Sequence, residues 1–214
     1  MAAEERNRRL AVYMETISPE LPPYLLELEK EAALQGVPIV RRDTLRALIL
    51  LLAMKKPDSI LEIGTAVGYS ALCFLEYSDA RVVTIENDPE RIRQAKQNIL
   101  NAGKSGRVTL LEGNAEEILP AIRESFPFIF LDAAQGQYVH FLPQIIRLLS
   151  PGGVLLTDNV LIGGDLIESR YAIERRNRTI HKRMREYLRS ITEREGLVTT
   201  VFPVGDGLLV TVKK

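Results

Sequence analysis

Ser59-Ile-Leu-Glu-Ile-Gly-Thr-Ala-Val-Gly-Tyr-Ser-Ala-Leu72 is the stretch whose reading decides the fold. Apolar residues flank one acid, Glu62. Two glycines follow four apart, Gly64 and Gly68, and then an apolar run. This order predicts a strand, a tight turn and a helix. Glycine permits backbone angles and a close ligand approach that a Cβ forbids. The start of the helix then offers free N–H groups to something polar or anionic. These features describe a first βα unit that binds a cofactor. The spacing is E-x-G-x-x-x-G. The dinucleotide fingerprint needs G-x-G-x-x-G, so an NAD oxidoreductase is disfavoured.

Outward from that stretch, strand and helix alternate. Further strands are expected at 81–86, 107–112, 127–131 and 153–157, after the first at 59–63. The helices between them are expected to end near 77, to run from Asp88-Pro89 to about 102, and to lie near 115–123, 138–149 and 171–195. Residues 197–202 and 208–212 read as a terminal hairpin around Pro203-Val-Gly-Asp-Gly207. Short β-to-α repeats mean a mostly parallel sheet covered on both faces, an α/β fold. Before the first strand, helices are expected at 4–17, at 23–35, and from Asp43 as N-cap to Met54, with Val37–Val40 extended. Residues 1–57 thus form a helical layer beside an α/β core of 58–214, in one domain.

Composition narrows the class. The chain has 214 residues, enough for one large α/β domain, and 46% of them are hydrophobic. No apolar run approaches the roughly 18 residues that span a bilayer. The opening Met-Ala-Ala-Glu-Glu-Arg has no secretory pattern, so a cytoplasmic protein with no membrane partner is expected. The single Cys73 excludes an internal disulfide and a cysteine-based metal cluster; it reads as a core residue. Net charge is zero, so the whole chain is not a general polyanion binder.

In open α/β sheets, ligands bind beyond the carboxyl ends of the strands. Glu62, Glu86, Asn114-Ala115, Asp132 and Asp158-Asn159 all fall at that edge. Singly, each is also a fitting helix cap or turn residue. Their repetition at one edge favours a common site. Glu86, at the tip of the second strand, suits the two hydroxyls of a ribose. Asp132, Asp158 and Asn159 are three oxygen donors from adjacent strand ends, which suits a hard divalent cation, Mg²⁺ first. Such a cation would hold two neighbouring oxygens of a substrate and lower the pKa of a hydroxyl. The alternative is that Asp158 caps a turn and Asn159 takes a left-handed conformation.

The glycine motif is similar to motif I of the S-adenosylmethionine (SAM) methyltransferases. The chain as a whole resembles the cation-dependent O-methyltransferase family that includes catechol and caffeoyl-CoA O-methyltransferases. Matching pieces are Leu61-Glu-Ile-Gly-Thr-Ala-Val-Gly-Tyr-Ser-Ala71, Thr84-Ile-Glu86, Phe130-Leu-Asp-Ala133, Thr157-Asp-Asn-Val160 and Pro203-Val-Gly-Asp-Gly-Leu208. The resemblance implies a Rossmann-like fold, metal ligands at Asp132, Asp158 and Asn159, and SAM contacts at Val40, Glu62, Gly64, Ser70, Glu86, Ala115 and Asp132. It also implies a homodimer. Within the family the chain is similar to bacterial enzymes that methylate 5-hydroxyuridine at the tRNA wobble position. Val37-Pro38-Ile39, Asp132-Ala-Ala-Gln-Gly-Gln-Tyr138, Asp158-Asn-Val-Leu161 and the Arg-rich segment after it carry that likeness. The family pattern places a lysine, taken as general base, where this chain has Gln135. An amide cannot accept that proton at neutral pH.

Residues 170–189 hold eight Arg or Lys against two Glu. At about 100° per residue, Ile180, Met184, Tyr187, Leu188 and Ile191 share one helix face. Arg175, Arg178, Lys182, Arg185 and Arg189 share the other, with no acids between them. This stripe is expected to contact RNA phosphates, with Arg41 and Arg42 as further candidates; a solvated amphipathic helix is the alternative. His140 is expected away from the metal, His181 in solvent beside the stripe, and Tyr138 either packed or stacked on a base. The expected activity is methylation of tRNA 5-hydroxyuridine. A small-molecule catechol-type enzyme and a non-catalytic SAM- or RNA-binding module are the alternatives.

Overall fold

β1 (Ser59–Ile63) is buried along its whole length, as a strand flanked on both sides and covered on both faces must be. The computed structural model describes residues 2–169 and 171–214. Met1 and Arg170, which entered the readings of the N-terminus and of the basic segment, lie outside them. β1 pairs in parallel with β2 (Arg81–Glu86) on one side and β4 (Phe126–Leu131) on the other. β3 (Val108–Glu112) lies beyond β2, and β5 (Leu149–Thr157) beyond β4, both parallel. β7 (Leu208–Lys213) joins β5 antiparallel, and β6 (Leu197–Phe202) closes the hairpin at the sheet edge. The order β3-β2-β1-β4-β5-β7-β6 makes the expected seven-stranded, mostly parallel, Rossmann-like sheet. Its direction reverses between β1 and β4, which opens a crevice at their carboxyl ends.

The helices cover both faces. α1 (Ala2–Thr16) comes first. α2 (Pro23–Leu34), α3 (Arg42–Lys55), α4 (Tyr69–Glu76) and α5 (Pro89–Asn101) pack on one face, in a core with Ile60, Phe128 and Val154. α6 (Ala115–Ala121), α7 (Tyr138–Leu148) and α8 (Arg178–Thr192) cover the other, with Leu61, Ile63 and Ile129. Adjacent residues of β1 thus serve opposite cores, as the two-residue period of a strand requires. Cys73 is in the first core, as expected. No helix among the described residues is long and apolar enough to cross a membrane.

Three boundaries differ from expectation. The residue before α3 is Arg41; Asp43 sits inside the first turn, where its carboxylate accepts from Thr44 N and from Gly205 N of the β6–β7 turn. β5 begins at Leu149 because Leu149 pairs with Phe126 across a register shift. The long last helix starts only at Arg178. Its guanidinium donates to the Ile173 and Tyr171 carbonyls, folding the preceding chain back onto the helix start.

Candidate functional site

Gly64 follows β1 at φ +104. A Cβ there would lie 1.9 Å from the Asp132 carbonyl oxygen, so the turn backs directly onto the end of β4. Gly64 N and Thr65 N both donate to the Ile85 carbonyl, at 3.0 and 3.2 Å. Ala66 N donates to Glu86 Oε2 at 2.8 Å, and Glu86 Oε1 accepts from Asn87 N and Asp88 N at 2.9 and 3.0 Å. The carboxylate at the tip of β2 therefore holds the turn. Three N–H donors leave it about one of its roughly four acceptor positions.

Glu62 is fully buried. Its Oε2 accepts from the Thr84 hydroxyl, which also meets Thr65, and its Oε1 has no partner among the described residues. Burial pushes this carboxyl from 4.5 up to about 8; the Ser70 and Thr84 hydroxyls offset that only in part, and Asp132 and Glu86 add to it. The folded protein thus holds this proton more tightly than the unfolded chain, so the native state loses stability as pH rises from about 4.5 to 8. Glu62→Gln cannot ionise and should flatten that slope. Thermal unfolding of both proteins between pH 5 and about 8.5 tests this. A Tm difference that stays constant across the range would show that Glu62 does not titrate there.

Beside the turn lies a cavity of about 610 Å³. Val40, Gly64, Ser70, Asp132, Gln135 and Asn159 line it, so the crevice brings these sequence-predicted residues together. Glu62, Glu86, Ala115 and Asp158 do not line it. Ala115 opens α6 behind the Asn114 cap, and Asp158 is buried beneath the end of β5. Sequence reading missed Tyr69 and Asp206 as walls of the cavity, and placed Arg41 only as an RNA contact. Arg41 lies 3.6 Å from both Asp43 and Asp206, a contact between the start of α3 and the β6–β7 turn that no local signal reveals.

Asp132 lines the cavity, and the buried Asp158 lies near enough for the two charges to interact. Burial, and then the charge of Asp158, pushes the Asp132 carboxyl up to about 7. Burial pushes Asp158 up to about 6, against the N–H of Asn159, with Asp206 and Asp43 adding to the rise and Arg41 opposing it. Asp158 Oδ1 caps Asn159 N at 2.8 Å, and Asn159 is left-handed at φ +58. Both features of the turn-cap alternative are therefore present. Asn159 lines the cavity, and its side chain has no hydrogen bond among the described residues. No group of three His, Cys, Asp or Glu side chains suited to a metal occurs among the described residues. The set here is two mutually repelling carboxylates and a carboxamide. All three donors are oxygen, and their chemistry fits a hard cation. The cavity volume falls in the range of about 300–1,000 Å³ typical of small-molecule sites. Gly64, Thr65, Ala66, Tyr69 and Ser70 line the rest of the cavity, so a cofactor fits beside the turn, next to these oxygen donors.

The basic face is narrower than the sequence suggests. Arg175 precedes α8 in a 3-10 turn, and Arg178 is turned back onto carbonyls. Arg189 pairs with Glu193 at 3.1 Å, and Glu186 lines the same shallow groove as Lys182, Arg185 and Arg189. The stripe therefore does contain acids. Arg42 is engaged by Glu29 at 2.9 Å. His181, expected in solvent, is 3% exposed, because it sits three residues before Met184 on the buried arc. Tyr138 is packed, edge-on to Tyr187, with its hydroxyl donating to the Asp158 carbonyl at 3.3 Å. His140 is exposed on α7 and does not line the cavity, in keeping with expectation.

The family model described as O-methyltransferase matches residues 15–214. A protein of Mycolicibacterium vanbaalenii assigned as an O-methyltransferase is 34% identical over 172 residues, 78% of this chain and 74% of that protein. A Staphylococcus aureus structure assigned as a caffeoyl-CoA O-methyltransferase is 31% identical, with a TM-score of 0.86, covering 98% of this chain and 99% of that one. The Podospora anserina methyltransferase PaMTH1, solved with S-adenosylhomocysteine (SAH), is 28% identical with a TM-score of 0.88, covering 99% and 96%.

Proposed function

The chain belongs to the O-methyltransferase family, and we propose that it uses SAM and a divalent cation, Mg²⁺ first, to methylate 5-hydroxyuridine at the tRNA wobble position, giving 5-methoxyuridine. The observation that carries the chemistry is the single cavity joining the Gly64–Ser70 turn to Asp132 and Asn159. SAM would supply the methyl group, and the cation would lower the pKa of the acceptor hydroxyl.

The residues divide the work. Gly64 and Ser70 line the cavity that the cofactor would occupy, and Glu62, buried behind the turn, braces it through the Thr84 and Thr65 hydroxyls. Glu86 keeps one acceptor position for a ribose hydroxyl. Asp132, Asp158 and Asn159 would hold the cation beside the acceptor. The 5-hydroxyl and 4-carbonyl of the base offer two neighbouring oxygens, as a catechol does. In the net change the S–CH₃ bond of SAM would break as O–CH₃ forms, leaving SAH as the neutral thioether and releasing the hydroxyl proton. Gln135 cannot take that proton. Holding donor and acceptor in line supplies much of the rate.

Lys182 and Arg185, the least engaged cations on α8, support an RNA substrate. The small-molecule reading rests on the likeness to the caffeoyl-CoA-type structure. Labelled SAM, Mg²⁺ and tRNA carrying 5-hydroxyuridine, beside a catechol control and with or without chelator, separate the two. Chelator-sensitive label in 5-methoxyuridine is expected; label in catechol alone would reject the tRNA substrate. Replacing Lys182 and Arg185 with Ala should lower the slope of log affinity against log salt by about 0.7–0.9 per lost phosphate contact. An unchanged slope would return α8 to a solvated face.

A further inference from the structure

We infer that Gln135 is a positioning residue: it locks Asn159 in its left-handed conformation, so that the Asn159 carboxamide is presented to the cavity, and Arg183 of α8 anchors it in that role. The inference rests on the proposed reading of the site. It gives Gln135 a task other than proton transfer.

A non-glycine residue at positive φ is uncommon; asparagine tolerates it best, and here at φ +58 its neighbours hold it there. Both main-chain polar groups of Asn159 are fixed. Its N–H donates to Asp158 Oδ1 at 2.8 Å, and its carbonyl accepts from Gln135 Nε2 at 3.0 Å. The carbonyl needs a donor, which settles the orientation of the Gln135 amide. With both main-chain groups engaged, the carboxamide is the polar group left unpaired where Asn159 lines the cavity. Gln135 is itself held. It opens a 3-10 turn in which Gln137 N donates to the Ala134 carbonyl at 2.8 Å, and Arg183 Nη1 donates to the Gly136 carbonyl at 3.0 Å. A chain of contacts therefore runs from α8 through residues 135–136 to Asn159.

Gln135→Leu keeps the side-chain bulk and removes the donor. Two readouts apply: Mn²⁺ binding, followed by the electron paramagnetic resonance signal of the free ion, and amide hydrogen exchange resolved at Asn159. Removing a group that orients a metal ligand typically weakens metal binding about 10–100-fold. We expect a loss in that range, with at least about tenfold faster exchange at Asn159. Gln135→Lys still carries a donor and should keep both values near wild type. Arg183→Met should reproduce the exchange change. A wild-type exchange rate at Asn159 in Gln135→Leu overturns the inference. So does acceleration spread evenly over the sheet, which would mark general loosening. If the wild-type protein binds no Mn²⁺, the metal reading fails, and the exchange at Asn159 still decides the role of Gln135.

Discussion

Gly64→Ala is expected to destabilise the protein by about 2–6 kcal/mol, the sum of an overpacked contact and a strained backbone at about 1–3 kcal/mol each. The added Cβ would lie 1.9 Å from the Asp132 carbonyl oxygen and 2.7 Å from its carbonyl carbon. Both are main-chain atoms, so no side chain can swing away. The φ of +104 disfavours any Cβ even with the clash removed. A net stability of about 5–15 kcal/mol leaves little of the fold in reserve. The effect reaches the cavity too, because relief of the clash must separate the ends of β1 and β4. Gly103→Ala is the control: its φ is +66 but a Cβ there meets nothing within 4 Å, so only the left-handed penalty of about 1–2 kcal/mol applies. Urea unfolding midpoints of the two variants decide the matter. Equal midpoints would show that the turn and the end of β4 do not touch.

The same turn shows what a sequence discloses. Two glycines after an apolar run announce β1, the turn and α4, because backbone strain and strand burial are local properties. Asp88 is equally legible: just ahead of α5, its carboxylate accepts from Glu90 N and Arg91 N, two and three residues on, as an N-cap should. Asp43 shows the limit. It has the composition of a cap, yet the structure spends one of its oxygens on Gly205 N, from a turn far along the chain. Charge patterning misled for a similar reason. The periodicity of α8 places its cations on one face, but it cannot tell that Arg178 folds back on carbonyls. Glu193, the partner of Arg189, lies just past the end of the basic segment. His181 flanks the basic stripe, which points it to solvent, although its position matches the buried arc. The strand-end acids were visible as a set; their mutual repulsion required the fold.

If Asp158 holds the proposed cation, Asp158→Asn is expected to lower turnover by at least about 10³-fold, since a Lewis acid supplies several kcal/mol and each 1.36 kcal/mol is tenfold in rate. The same variant should melt at a higher temperature than wild type at pH 8 without divalent cation. Asp158 is 2% exposed, and its charge helps push the Asp132 carboxyl up to about 7. Burial holds Asp158 itself near 6, above its ordinary 3.8. A native-state pKa above the unfolded value means that stability is lost as pH rises between the two. The stabilisation given by Asn should therefore be small at pH 4, grow through pH 6, and level off once both acids are ionised in wild type. Asn keeps an oxygen to accept from Asn159 N, so the turn survives. Added Mg²⁺ should raise the wild-type Tm by mass action and leave the variant nearly unmoved. This split, with activity lost and apo stability gained, distinguishes a group retained for function from one retained for folding. A variant both inactive and less stable at pH 8 would make Asp158 a structural cap. Full activity would remove it from the cation site.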